Sequence, residues 1–180
     1  MSKIGKNYIQ FGAFAAAIAI GSRILPLIVP AAEDRAHNKP FETFEEFFPF
    51  YMSQHADQSC RRLHFIGTSI IVLMSLFEPS ILVSGLLAGL IGTAIFSVTT
   101  AIPHGLYEML ILFLTFNVSM KIQTGSWKKG LTVLFIGYGF AWVGHFFFEH
   151  NKPATFIYPT YSLQGDLKLW YQIFSQKLTF

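Results

Sequence analysis

The stretch SILVSGLLAGLIGTAIFSVTTA, residues 80–101, runs 22 residues without a charge. A helix rises about 1.5 Å per residue, so this stretch is long enough to cross the ~30 Å hydrocarbon core of a bilayer. Further apolar stretches flank it at 65–77, 105–120 and 131–148, and an earlier one runs from Tyr8 to Val29, broken only by Gln10, Ser22 and Arg23. The breaks between them fall at Glu78-Pro79, Ile102-Pro103 and Lys121 to Gly130, where charge, proline and glycine interrupt an apolar helix. The segment at 65–77 is short, and it spans only if its helix begins near Arg61 with the arginines snorkelling. The expected fold is an all-α integral membrane protein: a bundle of about four to five transmembrane helices, with interfacial helices before the second segment and at the C-terminus.

Composition points the same way. Hydrophobic residues make up 52% of the 180, and charged residues only 13%, about half the usual quarter. So few charges cannot cover a water-soluble monomer, and the hydrophobicity is too high for disorder. The net charge is +3, yet the basic residues are dispersed, with no run longer than Arg61-Arg62 or Lys128-Lys129. That pattern flanks membrane segments and argues against nucleic acid as a partner. Cys60 is the one cysteine, which excludes an intrachain disulfide and a cysteine-built zinc site.

One membrane domain over 1–180 is expected, with 1–32 as an N-terminal anchor or interfacial segment and 40–180 as the main body. Lys3 and Lys6 before the first apolar stretch, and Ala31-Ala32 after it, also fit a cleaved signal peptide. Arg23, Pro26 and Pro30 sit badly in one, which favours an uncleaved anchor. Thr43 and Glu46 form a capping-box pair that predicts a helix start, soon constrained by Pro49. Phe44, Phe47, Phe48 and Tyr51 then share a helical face suited to packing. Trp170, Tyr171 and Phe174 in the C-terminal section suggest a helix lying on the membrane.

Four crossings separate the polar stretch 33–64 from the C-terminal section, so both lie on one side. That side carries Arg35, Lys39, Arg61, Arg62, Lys152, Lys168 and Lys177, against Lys3, Lys6, Lys121, Lys128 and Lys129 opposite. The bias, though slight, places it in the cytosol. All six histidines, His37, His55, His64, His104, His145 and His150, fall on that same side. Polar groups at membrane boundaries are costly unless used, and neutral imidazole is the commonest metal ligand. His145 and Glu149, four apart on an apolar helix, share a face and could hold one cation; Cys60 and His64 stand in the same relation. His55 and His64, nine apart, reach one metal only if the chain breaks between them or several helices surround the ion. Imidazoles with one carboxylate suit non-haem iron, zinc or manganese. Each histidine taken singly also fits a side chain bonded to a backbone carbonyl.

The stretch Phe50-Tyr51-Met52-Ser53-Gln54-His55, followed by Cys60-Arg61-Arg62-Leu63-His64-Phe65-Ile66-Gly67-Thr68, resembles the first motif of a small membrane family. Gly137-Tyr138-Gly139-Phe140-Ala141-Trp142-Val143-Gly144-His145-Phe146-Phe147-Phe148-Glu149, continuing through Asn151-Lys152-Pro153-Ala154-Thr155-Phe156 and Gly165-Asp166, resembles its second. The family comprises iron-dependent 2-hydroxy fatty acid dioxygenases of the endoplasmic reticulum, formerly a domain of unknown function. The resemblance implies a dioxygenase-like membrane domain over 40–180. It implies α-oxidation, in which Fe(2+) and O2 shorten a long-chain 2-hydroxy fatty acid by one carbon with release of CO2. His55, His64, His145 and Glu149 match the family's metal and catalytic positions. It also implies the endoplasmic reticulum membrane in a eukaryote, or the inner membrane in a bacterium. His104 and the segment before residue 40 lie outside the resemblance, and His150 departs from it.

Arg61 or Arg62 could pair with a substrate carboxylate in forked geometry, or contact lipid headgroups. Asp166 could orient a ligand histidine through its second nitrogen, or cap a helix. The phenylalanine-rich interior would take an acyl chain laterally from the lipid bilayer. Two other classes stay open: a non-catalytic lipid-binding or scaffold protein, and a transporter, although Glu108 is the only carboxylate in the middle segments.

Overall fold

Apolar segments separated by short polar breaks become helices in a computed structural model of the chain, which describes residues 3–29 and 34–180. Among the described residues seven α-helices follow in order: α1 (Lys3–Ile28), α2 (Phe44–Ser53), α3 (Gln58–Phe77), α4 (Ser80–Thr99), α5 (Leu106–Thr124), α6 (Trp127–Gly144) and α7 (Pro159–Phe174). A π-helical turn, His145–Glu149, extends α6, and a 3-10 turn, Ala154–Phe156, precedes α7. Among the described residues there is no strand. Four helices of the described residues are long and apolar enough to cross a membrane: α1 from Tyr8, α3, α4, and α6 with its π turn. The protein is an all-α membrane bundle.

The fifth long helix, α5, is more polar. It packs against α1, α4 and α6 and buries Glu108, Thr115, Asn117 and Ser119. Ser84 of α4 donates to Ser119 Oγ at 2.8 Å, and Gln123 Nε2 to Ser84 Oγ at 3.1 Å. Such bonds join helices where apolar association drives little. The outward faces carry Leu27, Phe77, Leu114, Phe135 and Phe147, all exposed, a surface suited to lipid.

Helix boundaries refine the sequence reading. α3 begins at Gln58, so it has the length to span. Asp57 caps it, accepting the Ser59 and Cys60 N–H groups at 2.6 and 3.1 Å. Arg61 does not snorkel: its NH1 donates to His55 O at 2.8 Å and to Ala56 O at 2.6 Å, tying down the loop before the helix. The break expected at Lys121 to Gly130 shrinks to Gly125-Ser126, because Lys121 remains in α5 and donates to Gly125 O at 2.7 Å. A cation there also suits the negative end of the helix dipole. α1 continues through Arg23 and Pro26, the proline falling in its last turn, after which the helix ends. Pro30, Ala31 and Ala32 lie outside the described residues.

The expected capping box is present: Glu46 N donates to Thr43 Oγ1 at 3.2 Å, and Thr43 N to Glu46 Oε2 at 3.3 Å. α2 buries Phe47, Phe48 and Tyr51 against Tyr158, Tyr161, Leu169 and Ile173 of the α7 region, with Phe96 of α4 beneath them. The other face of α7 exposes Leu163, Leu167, Tyr171 and Phe174, as a helix lying at a membrane surface would.

Residues 36–39 strap the α4–α5 connection. Ala36 N donates to Thr100 O at 2.9 Å, and Asn38 Nδ2 to Pro103 O at 2.6 Å. Lys39, counted above among the basic residues of one face, is fully buried. Its Nζ lies 2.8 Å from Glu108 Oε1, which also accepts Thr99 Oγ1 at 2.8 Å. At the opposite end of the bundle, Lys129 pairs with Glu78. α3 and α5 run away from the strapped end, and α4 and α6 return to it, so His55 and His145 meet at one end.

Two outcomes follow from this architecture. Removing one partner of a buried ion pair costs roughly 3–5 kcal/mol, because the other charge is left uncompensated. Lys39→Met should therefore destabilise the protein by about that amount in denaturant or thermal unfolding in detergent, and Lys39→Met with Glu108→Leu should recover most of it. For topology, single cysteines at His37 and Lys152, in a Cys60→Ser background, should react with an impermeant thiol reagent from the same side of sealed vesicles. A cysteine at Lys128 should react from the other side.

Candidate metal centre

The loop between α2 and α3 interrupts the chain between His55 and His64, the break that their nine-residue spacing requires. His55 stands in the loop, His64 on the second turn of α3, and His145 at the start of the π turn after α6. All three are buried, at 1%, 6% and 2% exposure. Their ring centroids lie 4.5 Å (His55–His64), 4.7 Å (His55–His145) and 5.1 Å (His64–His145) apart.

Each ring is held through Nδ1 by a different acceptor. His55 Nδ1 lies 2.6 Å from Tyr51 O, His64 Nδ1 2.5 Å from Asp166 Oδ1, and His145 Nδ1 2.7 Å from Asn151 Oδ1. None of these acceptors carries a proton to give, so Nδ1 is the protonated nitrogen and Nε2 keeps its lone pair. Nε2 of His55 and of His64 is buried without any hydrogen-bond partner. A buried polar atom without a partner costs about 1–3 kcal/mol and calls for a ligand. Burial, with His64 beside it, pushes His55 down to about 3, so the ring is neutral and able to bind a cation at neutral pH.

One ligand atom from each of His55, Cys60, His64 and His145 lies within 4.8 Å of all the others. Two donors about 2.1 Å from one ion lie at most roughly 4.2 Å apart, so the widest pair here would close by up to about 0.6 Å, a side-chain adjustment, for one ion to bridge the group. The donor set fits a metal. Cys60, which spacing pairs with His64 but which stood outside the expected ligand set, is the fourth member. α6 passes so close to it that a Cβ on Gly144 would lie 2.9 Å from Cys60 Sγ. Only glycine permits that approach.

The remaining candidate residues are placed differently. Glu149 does not join the group: its Oε1 accepts the Asp57 backbone N–H at 2.7 Å. The expectation of a shared face with His145 assumed α-helical spacing. The carboxylate turns instead to the start of α3, where the Asp57 N–H donates to it. Asp166 lies beside the group, with Oδ1 taking Tyr51 OH at 2.5 Å as well as His64. Burial would raise the Asp166 carboxyl, but the neighbouring His64 and the hydrogen bonds from His64 and Tyr51 outweigh it and hold the carboxyl below its ordinary value. Burial, and then the neighbouring Asp166, raises the Tyr51 hydroxyl well above its own, which keeps it a donor. Arg61 is engaged with the loop carbonyls, while its buried Nε has no partner. Arg62 is exposed and lies over the Phe180 ring at 5.6 Å. His37, His104 and His150 are exposed at the same end of the bundle, outside the cluster. Asn151 also escaped the sequence reading, although it follows His145 within the quoted motif; its Nδ2 donates to Gln54 O at 3.1 Å.

No curated protein and no solved structure matches the chain. The family model described as 2-hydroxy-palmitic acid dioxygenase Mpo1-like matches residues 41–178, a span that contains every member of the histidine–cysteine cluster and every residue bonded to it. The chain belongs to this Mpo1-like family.

Proposed function

We propose that the protein is a membrane dioxygenase that binds Fe(2+) through His55, His64 and His145 and oxidises long-chain 2-hydroxy fatty acids. The observation that carries this reading is the pair of buried, partnerless Nε2 atoms of His55 and His64 beside His145, in a chain of a family described by 2-hydroxy-palmitic acid dioxygenase. When bound, iron(II) would supply the one-electron chemistry that triplet O2 needs to react with a closed-shell substrate. Three imidazoles leave other positions open, which non-haem oxygenase chemistry requires. The overall change balances as one 2-hydroxy acid and one O2 giving the acid one carbon shorter, CO2 and water.

The chain's own residues bind and orient. The Nδ1 bonds keep three lone pairs aimed inward and cut the cost of assembling the site. The unpartnered Nε of Arg61 is available to a substrate carboxylate, whereas exposed Arg62 suits a lipid headgroup. Glu149 serves by holding the Asp57 end of the loop, and through it His55. An apolar groove of about 320 Å³ follows the α3–α6 seam, lined by Leu63, Phe135, Ile136, Gly139, Phe140 and Val143. Leu63 and Val143 lie within two residues of His64 and His145, so an acyl chain entering from the bilayer would run towards the cluster. The exposed basic residues near the cluster favour a cytosolic active face, at the endoplasmic reticulum membrane of a eukaryote or the inner membrane of a bacterium.

The purified protein should take up one iron per chain. His145→Ala, His55→Ala and His64→Ala should each lose most of that metal while remaining inserted, because helix hydrogen bonds and apolar segments carry insertion. Glu149→Gln should lose less, and His37→Ala nothing, as read by metal analysis of each variant. With iron and O2 in detergent, the wild type should convert 2-hydroxypalmitate to the 15-carbon acid and consume one O2 per turnover, measured by mass spectrometry and an oxygen electrode. Binding of the fatty acid without turnover by the iron-loaded protein would instead favour the lipid-binding reading.

A further inference from the structure

The three acceptors that hold the imidazoles converge on one place, the last turn of α2 and the residue that caps it. Tyr51 O accepts His55 Nδ1 directly at 2.6 Å. Tyr51 OH donates to Asp166 Oδ1 at 2.5 Å, and that same oxygen accepts His64 Nδ1 at 2.5 Å. The third ring, His145, is held by Asn151, whose amide donates to Gln54 O at 3.1 Å. Tyr51 thus reaches two of the three rings, one through its backbone and one through its hydroxyl.

We infer that Tyr51 is a positioning residue for the metal ligands, acting on His64 through Asp166; the inference rests on the metal reading above. Asp166 sits on α7 with 30% of its side chain exposed, so water competes for its carboxylate. The Tyr51 hydroxyl, fixed on a buried side chain, holds the carboxylate turned inward towards His64. The tyrosine is itself clamped. Its ring stacks on His55 at 4.1 Å between centroids, with 28° between the planes. On the α7 side, a Cβ at Gly165 would lie 2.8 Å from two of its ring atoms, so only glycine lets the helix pass this close. A phenylalanine would fill the same space, stack on His55 and keep the backbone bond to it. It would lose only the hydroxyl, and with it the restraint on Asp166.

The test uses the full-length chain in detergent with Co(II) as the probe, read by its visible absorption and by competition with a chelator. Loss of an outer partner of a metal ligand typically costs 10–100-fold in metal affinity. Tyr51→Phe should weaken Co(II) binding at least about 10-fold and alter the Co(II) band, while the far-ultraviolet circular dichroism stays that of the wild type. In an Asp166→Ala background, Tyr51→Phe should have little further effect on affinity, because its action passes through the missing carboxylate. Wild-type affinity and spectrum in Tyr51→Phe would overturn the inference, as would an undiminished effect of Tyr51→Phe when Asp166 is absent. If Tyr51→Phe fails to fold, unchanged Co(II) affinity and spectrum in Asp166→Asn overturn it instead. A wild-type chain that takes up neither Co(II) nor iron removes the metal reading itself, an outcome distinct from a metal site indifferent to Tyr51.

Discussion

An imidazole buried in protein has two nitrogens to satisfy, and the way this chain divides them governs the rest of its structure. In each of His55, His64 and His145, Nδ1 meets an acceptor from a different element: the backbone of α2, a carboxylate of α7 and an amide just after the π turn. Nε2 of His55 and His64 is left buried without a partner. Such atoms cost stability unless a ligand takes them, and holding several at one point requires support from every side. The fold supplies it by bringing α2, α3, the end of α6 and α7 to one end of the bundle. The loop carbonyls held by Arg61, the Asp57 N–H held by Glu149 and the clamp of Tyr51 between His55 and Gly165 all serve that assembly.

The long helices answer a different demand. Their outer faces are apolar, and their polar groups pair inside, as Ser84 does with Ser119 and Lys39 with Glu108. The buried ion pair fastens the strap at 36–39 to the start of α5, and hydrogen bonds to Tyr158 and from Tyr161 fasten the next residues to α7. Insertion into the bilayer and construction of the centre therefore use different residues. That division lets a ligand change without the helices losing their reason to span.

Much of this was legible in the chain. The uncharged run 80–101, the Thr43–Glu46 capping box and the aromatic face of α2 are local patterns, set by hydrophobicity and hydrogen bonding within a few residues. They reappear as α4, the start of α2 and the Phe47–Tyr51 packing face. The three histidines were found by motif and by their common position at membrane boundaries. The family they pointed to is the one whose model matches residues 41–178.

What the sequence by itself determined was the all-α membrane class, the starts of α2, α4 and α5, and which histidines to compare, because each depends on patterns within a turn or two of chain. Tertiary structure alone decided which groups stand around them. His145 reaches the face shared by Cys60 and His64 because α6 crosses α3 at Gly144, and Glu149 stays out of the cluster because its carboxylate holds the Asp57 N–H. Tyr51 and Asp166, 115 positions apart, meet on one carboxylate oxygen, and Lys39 changes from a surface charge to a buried partner of Glu108. Hydrogen bonds and close contacts reach only about 3 Å, so which distant residues share them is settled by how the helices pack, and no local spacing encodes it.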